Sequence, residues 1–188
     1  METSETSAMV APGRRTKRRM AAVLVLDVVG YGRQVALDPE GTLAAMRAGY
    51  RRIVQPRITA KDGRVVKLMG DGVLAEFPLA SEALDAAVAI QQAFAAPREP
   101  ALIQHPLQLR AGLHVGEVFG QDSDIFGPTV NIAVRLEAAA PPGAIMMSRE
   151  ACDRVPVPTA ARLLDLGLMR LRHVDRPLHV VVAEIRPV

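Results

Sequence analysis

Val65-Val66-Lys67-Leu68-Met69-Gly70-Asp71-Gly72-Val73-Leu74-Ala75-Glu76-Phe77 reads as two short strands around a tight turn. Val65 to Met69 and Val73 to Phe77 are rich in residues that fit a pleated surface, and Gly70-Asp71-Gly72 is the punctuation of a hairpin. Upstream, Ala21-Ala22-Val23-Leu24-Val25-Leu26 is a buried strand that stops at Asp27, with Gly30 and Gly32 marking a loop. Asp38-Pro39-Glu40 then starts a helix whose apolar positions, Leu43, Met46, Tyr50, Ile53 and Val54, recur at helical spacing until Pro56. Downstream, an Ala-rich second helix runs from Ser81, its cap, to Ala96. Residues 97–106 carry three prolines and read as a loop, after which Leu107 to Val115 and Glu117 to Phe119 form a hairpin turning near Gly116. A third helix begins near Pro128, because proline suits the first helical position, and runs through Leu136 towards Pro141-Pro142-Gly143. Ala144 to Met147, Ala161 to Leu166 and Leu178 to Ile185 supply later strands, and no internal repeat is visible.

Strand, helix, strand, strand, helix, strand is the order of a ferredoxin-like βαββαβ sandwich of the α+β class, here with an extra helix and C-terminal strands. The 188 residues, 49% of them hydrophobic, suffice for one sizeable core and fall short of two ordinary domains. The single cysteine, Cys152, excludes an intrachain disulfide and a cysteine zinc cluster, so a reducing, cytoplasmic setting is expected. No apolar stretch approaches the ~20 residues that a membrane-spanning helix needs. Net charge is +3, with Arg14, Arg15, Lys17, Arg18 and Arg19 clustered after a Ser/Thr-rich leader. Residues 1–18 are therefore expected to be a flexible basic tail, solvated rather than bound to nucleic acid or membrane. Aromatics are only 3% of the chain and Trp is absent, so the stacking platform of a nucleic-acid-binding sheet is missing.

Fold alone says nothing about chemistry, which has to come from particular residues. Asp27 and Asp71 each sit where a strand ends, so both can converge on one sheet edge and hold hard cations through oxygen. Asp71 alone would be an ordinary turn former, but an Asp closing a buried apolar strand is costly without a purpose. In Val28-Val29-Gly30-Tyr31 the glycine lets backbone N–H groups approach phosphate oxygens. Asn131 and Arg135 lie four residues apart on one helix face, an amide and a guanidinium suited to a ribose oxygen and a phosphate. The alternative for them is a solvated face with Arg135 paired to Glu137 or another acid. Asp124 lies three residues upstream of Gly127, the better cap, so a cap is its weaker explanation. A carboxylate accepting from an exocyclic amine and Lys67 donating to a ring nitrogen together describe adenine, although Lys67 also fits a solvent-facing strand residue.

These residues resemble the class III nucleotidyl cyclase catalytic domain, closest to bacterial adenylate cyclases that open like Arg19-Met20-Ala21-Ala22-Val23-Leu24 and Asp27-Val28-Val29-Gly30-Tyr31. The resemblance runs from about Arg18 to Ile185, which makes residues 19–188 one catalytic domain, and rests most on Lys67 to Gly72 and Asp124 to Glu137. It implies that Asp27 and Asp71 bind two divalent ions, Mg2+ or Mn2+, and that Val28, Val29, Gly30 and Tyr31 hold phosphates. Lys67 and Asp124 would select adenine, Asn131 would orient the ribose, Arg135 would meet charge at the α-phosphate, and Arg110 would contact the polyphosphate. A lysine usually precedes the last loop; this chain has Arg172, with Arg170 close by, which keeps the charge and exchanges an ammonium for a planar fork. The implied reaction is conversion of ATP to 3',5'-cyclic AMP and pyrophosphate, at sites shared between the two protomers of a homodimer, under regulation by a domain or protein not visible in these residues. Two rivals stand beside it. A guanylate cyclase would carry a glutamate and a cysteine or small polar residue in place of Lys67 and Asp124, and a silent ATP-binding module would lack a metal Asp or the Arg.

Overall fold

The computed structural model describes residues 17–121, 123–156 and 161–185. Its centre is strand β1 (Lys17–Val28), in which six consecutive residues, Ala21 to Leu26, are buried. A strand buried on both faces loses the polar alternation of a surface strand, which is why its sequence is continuously apolar. The even residues Ala22, Leu24 and Leu26 enter one core and the odd residues Ala21, Val23 and Val25 a second one on the opposite face. Asp27 follows the odd set, so strand alternation sends its carboxylate to that second face.

The hairpin forms as the sequence predicts: β2 (Arg64–Met69) and β3 (Gly72–Phe77) are antiparallel and joined through Gly70-Asp71, with Met69 paired to Gly72. β3 lies against β1 and β1 against β4 (Leu109–Gln121). The sheet continues through β6 (Ala144–Ser148) and β8 (Leu178–Ile185) to β7 (Ala161–Met169), in the order β2-β3-β1-β4-β6-β8-β7, with a short β5 (Asp124–Phe126) on the end of β4. Among the described residues only the β4 to β6 pairing is parallel. Strands β2-β3-β1-β4 are the four-stranded ferredoxin-like core and the rest extends it, as expected.

The first face is covered by α1 (Tyr31–Leu37), α2 (Pro39–Gly49), α3 (Gln55–Thr59) and the Ala-rich α4 (Ala80–Ala95), whose Ala83, Leu84, Ala87, Ile90 and Phe94 enter the larger core. The second face is covered by α6 (Pro128–Ala139) and β5, after the short α5 (Pro100–Gln104); α7 (Arg149–Cys152) follows β6.

Several expectations need correction. Lys17 and Arg18 belong to β1, paired with Gly120 and Phe119, rather than to a tail; the remainder of the expected tail, 1–16, lies outside the described residues. Tyr31 opens a helix where a loop was expected. Pro56 does not end the first long helix. A π-helical turn over Tyr50–Val54, in which the Gln55 N–H bonds to Tyr50 O, widens the backbone ahead of it, and α3 continues past the proline. Leu79 rather than Ser81 caps α4, without a side-chain bond. The proline-rich loop holds α5.

The largest difference is at Gly116, where β4 runs straight on instead of turning, in unbroken register with β1 from Leu109 to Gly120. Its glycine serves packing: a Cβ there would stand 2.5 Å from Thr129 Oγ1, and one at Gly112 would stand 2.2 Å from Ala133 O. These two glycines let α6 lie directly on the strand.

Candidate active site

α6 carries its candidate residues on different faces. Thr129, Ala133, Leu136 and Glu137 are buried against the sheet, whereas Asn131 is exposed and Arg135 half-buried. At about 100° per residue, Asn131 and Arg135 lie on the side of the helix away from Ala133 and Leu136. Among the described residues Arg135 forms no ion pair, so the surface pairing with Glu137 does not occur.

Glu137 turns inward instead, to the end of the sheet where Asp27 closes β1. Asp27 is the cross-strand partner of Arg110, whose Nη2 donates to Asp27 Oδ2 at 2.9 Å. Arg110 Nε faces Glu137 Oε1 at 3.4 Å, yet neither atom finds a hydrogen-bond partner among the described residues. Arg110 Nη1 reaches Ala138 O at 3.4 Å. Asp71, at the hairpin turn, approaches from β3, and Gly72 lies beside Asp27 Oδ1.

The charges here are crowded. Burial, then the neighbouring Asp27 carboxylate, raise the Asp71 pKa against the lowering effect of its own backbone hydrogen bond and of Arg110. Burial lifts Glu137 from its usual 4.5 to about 7, with Asp27 and Asp71 adding to the rise and Arg110 opposing it. Three carboxyl groups against one guanidinium is an arrangement that added positive charge relieves. Asp27 and Asp71 offer hard oxygens, and an orphaned carboxylate oxygen stands close by. Among the described residues no three His, Cys, Asp or Glu side chains form a closed metal cage. An open pair of aspartates nevertheless fits Mg2+ or Mn2+, which take one or two carboxylates and complete their shell with water and phosphate oxygens. Glu137 escaped sequence reasoning because its two-residue offset from Arg135 reads as a surface position, and only the close seating of α6 on Gly112 turns it inward.

The second cluster is separate. Lys67, exposed on β2, donates from Nζ to Asp124 Oδ2 at 2.7 Å, and its ammonium sits 5.5 Å from the centre of the Phe126 ring. Burial alone would raise Asp124, but the Lys67 hydrogen bond, the Ile125 amide and the charges of Lys67 and Arg64 outweigh it and hold the carboxyl below the usual range. The two residues expected to read adenine thus meet each other across 57 positions of chain. Asp124 caps no helix; Gly127 does.

Val28 is buried and Val29 half-buried, with the Val29 N–H bonded to Gln108 O; Gly30, exposed at φ 66°, caps α1, which begins at Tyr31. Arg172 is exposed in the turn between β7 and β8, next to Leu171, which shares a buried cluster with Leu136 of α6. Arg172 is therefore on the flank of α6 and not among the carboxylates. His114 is buried in β4 with Nδ1 2.7 Å from Ser148 Oγ, and burial lowers its pKa. His179 meets Asp165 at 2.7 Å on β8, and His173 lies in the β7–β8 turn, so none of the three stands in either cluster.

Comparison with known proteins agrees with this architecture. Residues 16–167 match the model of the adenylate and guanylate cyclase catalytic domain. A protein of Rhizobium meliloti (strain 1021) named "Putative adenylate cyclase 3" is 37% identical over 164 residues, which are 87% of this chain and 28% of that protein. The crystal structure of an adenylate/guanylate cyclase/hydrolase from Silicibacter pomeroyi superposes with a TM-score of 0.80 at 35% identity, covering 92% of this chain and 100% of that one. The adenylyl cyclase CyaB from P. aeruginosa shares the fold, with a TM-score of 0.79 at 22% identity over 92% of this chain and 97% of its own. With its sheet, its paired aspartates and a family match over most of its length, this chain belongs to the adenylate and guanylate cyclase catalytic-domain family, the class III nucleotidyl cyclases.

Proposed function

We propose that the domain is an adenylate cyclase acting as a homodimer, which converts ATP to 3',5'-cyclic AMP and pyrophosphate. The observation that carries the choice of base is the Lys67–Asp124 contact at 2.7 Å beside Phe126. A cationic donor and a carboxylate acceptor at one spot complement adenine, which offers ring-nitrogen acceptors and an exocyclic amine donor. Guanine would present a carbonyl to Asp124.

In this reading the ribose 3'-hydroxyl loses its proton to solvent, its oxygen attacks the α-phosphorus in line, a new P–O bond forms, and the bond to pyrophosphate breaks. Asp27 and Asp71 would hold two divalent cations, which would supply activation of the hydroxyl and neutralisation of the polyphosphate. Asn131 orients the ribose and Arg135 meets the charge that develops at the α-phosphate. Arg110 exchanges its carboxylate partners for polyphosphate oxygens, the Val28 to Tyr31 backbone binds phosphate, and the fork of Arg172 does so from the α6 flank.

The direction of the side chains supports two protomers per site. Asn131 and Arg135 leave α6 on the side opposite its buried face, while Asp27 and Asp71 lie with Glu137 beneath that face, so one chain does not aim both sets at one ligand. A two-fold axis brings each set to its partner's complement.

The test is cyclic AMP formation from ATP, against GTP, with Mg2+ or Mn2+, by wild type, by Asp71→Ala, by Arg135→Ala and by a 1:1 mixture of the two variants. Each variant alone is expected to be inactive. In the mixture, heterodimers carry one doubly substituted and one intact site, so about a quarter of wild-type activity should return. No recovery overturns the shared site. For the base, Lys67→Glu with Asp124→Cys should reduce the preference for ATP over GTP.

A further inference from the structure

The β4–β5 hairpin needs something to hold its tip. Among the described residues β5 pairs with β4 alone, through Phe119 with Phe126, Gly120 with Ile125 and Gln121 with Asp124, and its other edge has no strand neighbour there. Ile125 anchors the middle of β5 in the second core. The tip, with Ser123 and Asp124, comes to rest over β2 on two cations. One is Lys67 on Asp124; the other is Arg64, whose Nη1 donates to Ser123 O at 2.7 Å.

Arg64 is itself held from below. Its Nε donates to Glu76, its cross-strand partner on β3, which is only 8% exposed. Arg19 Nη2, from β1, donates to the same carboxylate at 2.8 Å. One buried acid therefore fixes a guanidinium whose Nη1 donates to the hairpin. The fork geometry matters, because a single planar group spans an acid on one side and a carbonyl on the other.

The two links have different fates when a base arrives. In this reading Lys67 and Asp124 divide their donors and acceptors between each other and adenine, which loosens their mutual bond, whereas the Arg64 bond to Ser123 uses a backbone carbonyl that no base needs. We propose that Arg64 is a positioning residue for nucleotide recognition: anchored on Glu76, it latches the carbonyl preceding Asp124 and keeps that carboxylate at the base site while Lys67 turns to the base. The inference rests on the adenylate cyclase reading for what the hairpin recognises, but not for the latch itself.

Two variants test it. Arg64→Met removes the latch and leaves Glu76 paired with Arg19, so no buried charge is stranded and the fold is retained. Arg64→Lys keeps a cation for Glu76 but loses the fork. Hydrogen exchange at Ile125 and Phe126 should be at least about tenfold faster in both variants, with Val23 to Val25 of β1 unchanged. In turnover, both should raise KM for ATP by about tenfold, roughly the loss of one good hydrogen bond, with kcat within about twofold of wild type. A purely structural role would instead give Lys near-wild-type behaviour and Met a general loss of stability. Unchanged exchange at Ile125 and Phe126 overturns the latch, and faster exchange with unchanged KM overturns its part in recognition. Wild type that forms no cyclic AMP removes the adenylate cyclase reading and with it the recognition role, while the exchange comparison still decides the latch.

Discussion

The carboxylate end and the base end of this domain are built on opposite principles. Asp27, Asp71 and Glu137 are brought together by the central strand, a two-residue turn and a helix seated on glycines, and their like charges are forced close. Lys67 and Asp124 meet through an opposite-charge contact on an exposed strand and a short hairpin. The first region carries an electrostatic cost that added positive charge would relieve; the second is satisfied by its own opposite charges. The contrast teaches where each kind of damage should appear: in chemistry and pH response at one end, in nucleotide affinity and choice at the other.

The largest effect should come from breaking the carboxylate end. Asp71→Ala removes one of the paired aspartates and is expected to lower kcat by about 10³-fold or more, about 4 kcal/mol in the barrier. Size-exclusion chromatography should find its dimerisation intact. Wild-type-like turnover by this variant would break the metal assignment.

Next in size is a pH effect on stability. Unfolded Glu137 ionises near 4.5 and folded Glu137 near 7. Between those values the native state keeps a proton that the unfolded state has released, so stability falls as pH rises through this window, by about 3 kcal/mol in all. The raised pKa of Asp71 acts in the same direction. Denaturant unfolding of wild type at several pH values should show the slope, Glu137→Gln should reduce it, and Mg2+ should flatten it by favouring the ionised carboxylates. A slope unchanged in Glu137→Gln would sink the assignment.

The smallest effect is at the base end. The Lys67–Asp124 pair is partly exposed, so Lys67→Met should change unfolding free energy by less than about 1 kcal/mol while weakening ATP binding. A stability loss of several kcal/mol would erase the distinction between the two regions.

The sequence was a good guide wherever local chemistry decides structure. The hairpin around Gly70-Asp71 follows from turn residues between β-prone runs, and α6 begins at Pro128 because proline's missing N–H is harmless at a helix start. The sequence misled where a residue has a long-range purpose. Gly116 resembles a turn glycine and is a packing glycine; Pro56 resembles a helix stop and is carried past by a π turn. Lys17 and Arg18 resemble a tail and are strand residues, with Arg18 4.9 Å from the Phe119 ring centre.

By itself the sequence offered the candidate side chains and most of the local elements that carry them, because residue type, turn propensity and helical or strand periodicity are properties of a few neighbouring positions. Only the tertiary structure decided which of them meet. Asp27 reaches Arg110 across 83 positions and Lys67 reaches Asp124 across 57, and Glu137 turns inward because Gly112 has no side chain to keep α6 away. Such distances are set by strand register and by helix-to-sheet packing over the whole core, and no short stretch of sequence contains either.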